Sequence, residues 1–99
     1  MNYLVVDDDQ AFCQVLSRVL TRQGHSVCIA NTGQQAAEHC NNESTIERVI
    51  LDLKLEQESG LSILVDIKQR LPSAEILILT GYSSISTAVE AIKLGAVNY

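Results

Sequence analysis

The chain has one proline, few basic side chains, an odd number of cysteines and no long apolar run, and each shortage excludes a class of protein. A lone Pro72 beside 46% apolar residues argues for a folded globule, not a disordered chain. No apolar stretch approaches the ~20 residues that span a bilayer, so no membrane segment is expected. Asp7-Asp8-Asp9 interrupts any apolar core of a signal peptide, which makes the cytoplasm the expected compartment. Lys and Arg number 7 against 12 Asp and Glu, for a net charge of −5. Phosphate contacts need clustered cations, so direct nucleic-acid binding by this segment is not expected. Cys13, Cys28 and Cys40 lack metal-binding spacing, and His25 and His39 lie far from any Cys-x-x-Cys pattern. Reduced thiols are therefore expected and a zinc site is not. Neither Gly-x-Gly-x-x-Gly nor Gly-Lys-Ser/Thr occurs, which excludes the common nucleotide loops.

What is present is a set of short apolar runs ending on polar residues. Arg48-Val49-Ile50-Leu51-Asp52-Leu53 reads as a strand buried on both faces, as in a parallel sheet covered by helices. A carboxylate is costly inside such a strand, so Asp52 belongs at its C-terminal tip, where open α/β sheets bind ligands. A lone aspartate there would read as a helix cap. Tyr3-Leu4-Val5-Val6, however, is a second such run, and it ends on Asp7-Asp8-Asp9. Two strands delivering acid at the same end imply one acidic pocket.

The rest of the chain alternates. Asp9 is placed to cap a helix with Phe12, Val15, Leu16, Val19 and Leu20 on one face, and Gly24 ends it. Residues 26–30 read as a strand with Val27 and Ile29 on one face. Thr32 and Gln35 form a capping-box pattern for a second helix through about Cys40. Beyond Asp52, a polar loop from Lys54 to Gly60 leads into a helix with Leu61, Leu64, Ile67 and Leu71 buried, stopped by Pro72. Residues 75–79 are a further apolar strand ending on Thr80-Gly81. Ile85, Ala88, Val89 and Ile92 mark a fourth helix that Gly95 terminates, and Ala96-Val97-Asn98-Tyr99 begins another strand. This β-α order predicts one α/β domain over residues 1–99, a doubly wound parallel sheet with right-handed crossovers. The flavodoxin-like order 2-1-3-4-5 would bring Asp7, Asp8, Asp52 and Thr80 together, with strand five incomplete and no helix after it.

Carboxylates ~4 Å apart repel by ~4 kcal/mol at an effective dielectric near 20, so such a cluster favours a cation. An all-oxygen, partly hydrated set suits Mg²⁺, or Mn²⁺ in its place. A carboxylate beside a divalent ion is also a nucleophile toward phosphorus. The Thr80 hydroxyl reads either as a donor to a phosphoryl oxygen or as a cap for the following helix.

At this point the chain resembles the receiver domains of two-component response regulators. The resemblance rests on Leu4-Val5-Val6-Asp7-Asp8-Asp9, Leu51-Asp52-Leu53, Ser59-Gly60-Leu61, Leu79-Thr80-Gly81 and Gly95-Ala96-Val97-Asn98-Tyr99, in order over the whole chain. It implies that Asp52 is the phospho-acceptor, that Asp7 and Asp8 are metal-site acids, and that the Lys54 backbone carbonyl is a further ligand. It makes Thr80 the phosphoryl-sensing hydroxyl and Tyr99 the switch aromatic. The implied partners are a sensor histidine kinase and the parent protein's own output domain, of DNA-binding type. The segment from Leu79 to Ala96 further resembles redox-responding proteobacterial transcriptional regulators. A receiver of this kind is a signalling module, not an enzyme.

Two features depart from the family. Glu56 stands four residues after Asp52, where members usually carry Pro. The family's phosphate-binding Lys-Pro and its last helix lie beyond Tyr99, so the chain reads as a receiver truncated at its C-terminus. Homodimerisation or segment exchange of such a fragment is expected, because a cut strand leaves a sheet edge open. Lys54 and Tyr82 flank the expected pocket mouth and are predicted to slow hydrolysis of an aspartyl phosphate. The alternative function is a phosphorylation-independent pseudo-receiver that only binds partners. A haloacid-dehalogenase-like phosphatase fits less well, since by resemblance its nucleophile lies in Asp-x-Asp on the first strand.

Overall fold

The computed structural model describes residues 1–42, 45–53, 55, 59–79 and 85–98, the side chains of residues 85–88 and 98 excepted. Five parallel strands alternate with four helices: β1 (Asn2–Val6), α1 (Gln10–Arg22), β2 (Ser26–Ala30), α2 (Gly33–Asn42), β3 (Arg48–Leu51), α3 (Gly60–Arg70), β4 (Glu75–Ile78), α4 (Ile85–Lys93) and β5 (Val97–Asn98). The sheet order is β2-β1-β3-β4-β5, the doubly wound order expected from the alternation. Among the described residues no helix follows β5, and β5 joins β4 through two residue pairs, Leu77 with Val97 and Ile78 with Asn98.

Local chemistry sets the helix ends. Asp9 caps α1 by accepting the Phe12 amide at 3.1 Å. Thr32 Oγ1 accepts the Gln35 amide at 3.1 Å, while Gln35 Oε1 reaches back to the Asn31 amide at 2.8 Å, so the expected capping box is present one residue early on its return arm. Gly24 and Gly95 take φ of 92° and 109°, a left-handed conformation that closes α1 and α4 without strain on a side chain. Ser59 accepts the Ser62 amide and caps α3, so Gly60 opens that helix where the sequence predicts loop.

The two faces of the sheet are covered unequally. One carries the larger core, in which Leu4, Val6, Val49, Leu51, Ile76 and Ile78 meet Leu64 and Ile67 of α3, Ala36 and Cys40 of α2, and Ala91 of α4. The opposite face holds a smaller cluster of Tyr3, Val5, Cys13 and Leu20, with Leu16, Val27, Ile29 and Ile50 packed beside it. Here α1 is the helix in contact, and it lies against β1 and β2. Toward β3 and β4 the face opens into an apolar groove of about 410 Å³ lined by Phe12, Leu16, Ile50, Leu77 and Leu79.

Burial corrects two helix stripes. Val15 and Val19, expected inside, are 58% and 45% exposed, because α1 buries Cys13 and Leu20 against the sheet and leaves the far part of a broad apolar stripe uncovered. Val89 and Ile92 are likewise exposed: α4 approaches the core through the small side chain of Ala91, and the larger residues lie round the helix from it. In α3, Leu64, Ile67 and Leu71 are buried as expected, but Ile63 is buried where Leu61 is half-buried. Ile85 and Ala88 have side chains outside the described residues.

Candidate functional site

Parallel register decides which strand ends meet. Val6 pairs with Ala30 and Leu51, and Leu51 pairs with Ile78, so the last residues of the central strands lie level. The ladder then runs one residue further. The Asp7 amide donates to the Ala30 carbonyl, the Asp52 amide to Val6, and the Leu79 amide to Leu51, at 3.0, 3.0 and 2.9 Å. Asp7 and Asp52 are therefore neighbours at the C-terminal edge, each on the first residue past its strand. Their side chains converge with that of Asp8: one carboxylate oxygen from each of Asp7, Asp8 and Asp52 lies within 4.8 Å of the others. Asp7 is buried, Asp52 half-buried and Asp8 exposed, so the cluster opens from the sheet edge toward solvent.

Asp9 belongs to the same loop but has the predicted separate task. Its side chain caps α1, and its amide donates to Asp7 Oδ1 at 3.0 Å, which fixes the Asp7 carboxylate. The Asp7 pKa is raised above the ordinary carboxylate value, first by burial and then by the charges of Asp52, Asp8 and Asp9, against the opposing Asp9 amide. A buried acid that its neighbours repel is a group that a cation would relieve. Three carboxylates supplying only oxygen fit a hard divalent ion such as Mg²⁺, Mn²⁺ or Ca²⁺, not zinc or copper.

Two residues that the sequence did not single out hold this edge from behind. Asn31 Nδ2 donates to the Asp7 carbonyl at 2.8 Å, and the Cys13 thiol approaches the same oxygen at 3.4 Å. The pairing of Val6 with Ala30 places Asn31 opposite Asp7, a relation that only the register reveals. Burial pushes the Cys13 thiol up to about 11, so it is a structural donor and not a nucleophile. All three cysteines are free thiols. Thr80, Lys54, Tyr99 and Tyr82, the other expected participants, lie outside the described residues.

The family model described as "Response regulator receiver domain" matches residues 3–99. The chain belongs to the response regulator receiver family. Among curated relatives, this receiver is 40% identical over 99 residues to the transcriptional regulatory protein ZraR of Escherichia coli K12, covering 100% of this chain and 22% of that protein. It is 41% identical over 96 residues to the photosynthetic apparatus regulatory protein RegA of Rhodobacter capsulatus, covering 97% of this chain and 52% of RegA. Among solved structures, a response regulator from Burkholderia pseudomallei superposes with a TM-score of 0.93 at 43% identity, covering 99% of this chain and 57% of the other. That protein was solved with a phosphorylated aspartic acid, a calcium ion and citrate. The receiver thus spans about half or less of the curated regulators it resembles here, which are much longer proteins.

Proposed function

We propose that residues 1–99 are the receiver part of a longer response regulator, and that Asp52 accepts a phosphoryl group from a sensor histidine kinase in the cytoplasm. The observation that carries this reading is the convergence of Asp52 with Asp7 and Asp8 within 4.8 Å at the sheet's C-terminal edge, in a chain matched as a receiver over residues 3–99. The phosphorylated aspartate and calcium ion of the Burkholderia relative support it.

In the transfer, an Asp52 carboxylate oxygen attacks phosphorus, the new O–P bond forms as the P–N bond to the kinase histidine breaks, and the imidazole leaves. Asp7 and Asp8, with Asp52 and the Lys54 carbonyl, would hold Mg²⁺, or Mn²⁺ in its place. Once bound, the ion neutralises charge on the phosphoryl oxygens. Asp9 and Asn31 keep Asp7 oriented through the Asp9 amide and the Asp7 carbonyl. Thr80 donates to a phosphoryl oxygen and Tyr99 reports the change to the output domain, which in the parent protein is of DNA-binding type. The receiver itself contacts no nucleic acid and acts as a signalling module.

Calorimetric titration with Mg²⁺, then with Mg²⁺ and beryllofluoride, tests the reading. A phospho-acceptor receiver binds both, and Asp52→Asn abolishes the beryllofluoride step. Binding of neither ligand by the wild type would instead establish a phosphorylation-independent scaffold.

A further inference from the structure

The acidic site depends on where Asp52 stands, and the segment after it is clamped at an unusual place. Gly60, the first residue of α3, lies directly on the backbone of Leu53. A Cβ added at Gly60 would sit 2.5 Å from the Leu53 Cα, 2.6 Å from its carbonyl oxygen and 2.8 Å from its carbonyl carbon. Carbon atoms in good contact are ~3.5–4 Å apart, so any larger residue must drive the two segments apart by about an ångström. The obstacle is main chain on both sides, which cannot rotate away as a side-chain tip would. The glycine is needed for this approach and not for its φ, since it is absent from the positive-φ glycines.

What Leu53 does next gives the contact its meaning. Leu53 directly follows Asp52 and packs against the larger core, while Leu51, directly before Asp52, is wholly buried in the sheet. The Asp52 amide is bonded to the Val6 carbonyl at 3.0 Å. Asp52 is thus held from one side by the ladder and from the other by a residue seated under Gly60. Site geometry has to be held within ~0.5 Å to work, which is less than the displacement a Cβ would force.

We propose that Gly60 is a positioning residue for the Asp52 site: by letting α3 begin in contact with the Leu53 backbone, it sets the Asp52 carboxylate against Asp7 and Asp8. The proposal rests on the phospho-acceptor reading above and adds to it a residue with no polar group of its own. Loss of a group that orients metal ligands typically lowers metal affinity ~10–100-fold, and Gly60→Ala is expected to fall in that range.

The test compares Mn²⁺ affinity, by calorimetry or by the free-ion resonance signal, in the wild type, Gly60→Ala and Leu71→Ala. Leu71 is buried at the far end of the same helix, so its truncation lowers stability without touching Leu53. Melting temperatures are recorded for all three, and where a variant is partly unfolded the titrations are repeated for the whole set in trimethylamine N-oxide, which favours the compact state. The expected result is an affinity loss of about tenfold or more in Gly60→Ala, with near-wild-type affinity in Leu71→Ala. Wild-type affinity in Gly60→Ala, or equal losses in the two variants, would overturn the positioning role while leaving the phospho-acceptor reading standing. No Mn²⁺ binding by the wild type would overturn both.

Discussion

Asp52→Asn separates the electrostatics of the acidic edge from its chemistry, because it removes a charge while keeping the shape of the side chain. Carboxylate oxygens of Asp52, Asp7 and Asp8 lie within 4.8 Å of one another. At that separation one pair repels by ~3.5 kcal/mol at an effective dielectric of 20 and by ~0.9 kcal/mol in water. Asp8 is exposed and sits near the lower figure, while Asp7 is buried and lies between the two. After allowing ~1 kcal/mol for weaker hydrogen bonding by the neutral amide, the metal-free variant should gain about 1–2 kcal/mol. For a domain of this size that raises the melting temperature by roughly 5–10 °C at neutral pH and low salt. The pH dependence has a definite sign. A carboxylate whose folded pKa is raised contributes stability that is complete below its ordinary value and is lost as pH rises through the raised one. The wild type therefore gives up more stability than Asp52→Asn across that window, and the gap between them closes in acid. Saturating Mg²⁺ works in the opposite direction, since a ligand at a hundred times its dissociation constant stabilises by ~2.7 kcal/mol. Thermal melts by circular dichroism should therefore show the variant above the wild type without metal, and the order narrowing or reversing with it. A variant that melts at or below the wild type in metal-free buffer would refute the repulsion argument.

The neighbouring acids should divide by task. Asp8→Ala is expected to weaken Mg²⁺ binding severalfold or more, whereas Asp9→Ala should lower stability by ~1 kcal/mol as a lost helix cap, with a smaller effect on affinity; equal affinity losses in a paired titration would contradict the division. The open groove beside β4 should drive association of the isolated chain. Sedimentation velocity is expected to show concentration-dependent dimers or larger species that Leu16→Glu or Leu77→Glu shifts toward monomer, and a wild type that stays monomeric at high concentration would count against it.

Much of the core is legible without coordinates because burial on both faces leaves a continuous apolar record. Leu4, Val5, Val6, Val49, Leu51 and Ile76 all belong to runs whose only tolerable place is the centre of a covered parallel sheet, and all are fully buried. The helix stripes are less legible. Periodicity shows that α1 and α4 are amphipathic, but it does not show which part of a broad stripe touches the sheet. Val15, Val19, Val89 and Ile92 are exposed because the packing of each helix is set by its neighbours: α1 buries Cys13 and Leu20, and α4 enters the core through the small Ala91.

The acidic site divides along the same line. Aspartates at the ends of two apolar runs are readable from sequence alone, because the cost of burying a charge forces them to the strand tips. So is the alternation of strands and helices that makes the sheet parallel. The expected strand order already sets β1 beside β3; the tertiary structure alone decided that their ends are level, which brings one oxygen from each of three carboxylates within 4.8 Å. It alone placed Asn31 and Cys13 behind Asp7, and Gly60 on the Leu53 backbone. The reason is physical: a sequence records what each residue must avoid or seek in water, whereas contacts between distant segments depend on register and packing distance, which no local pattern encodes.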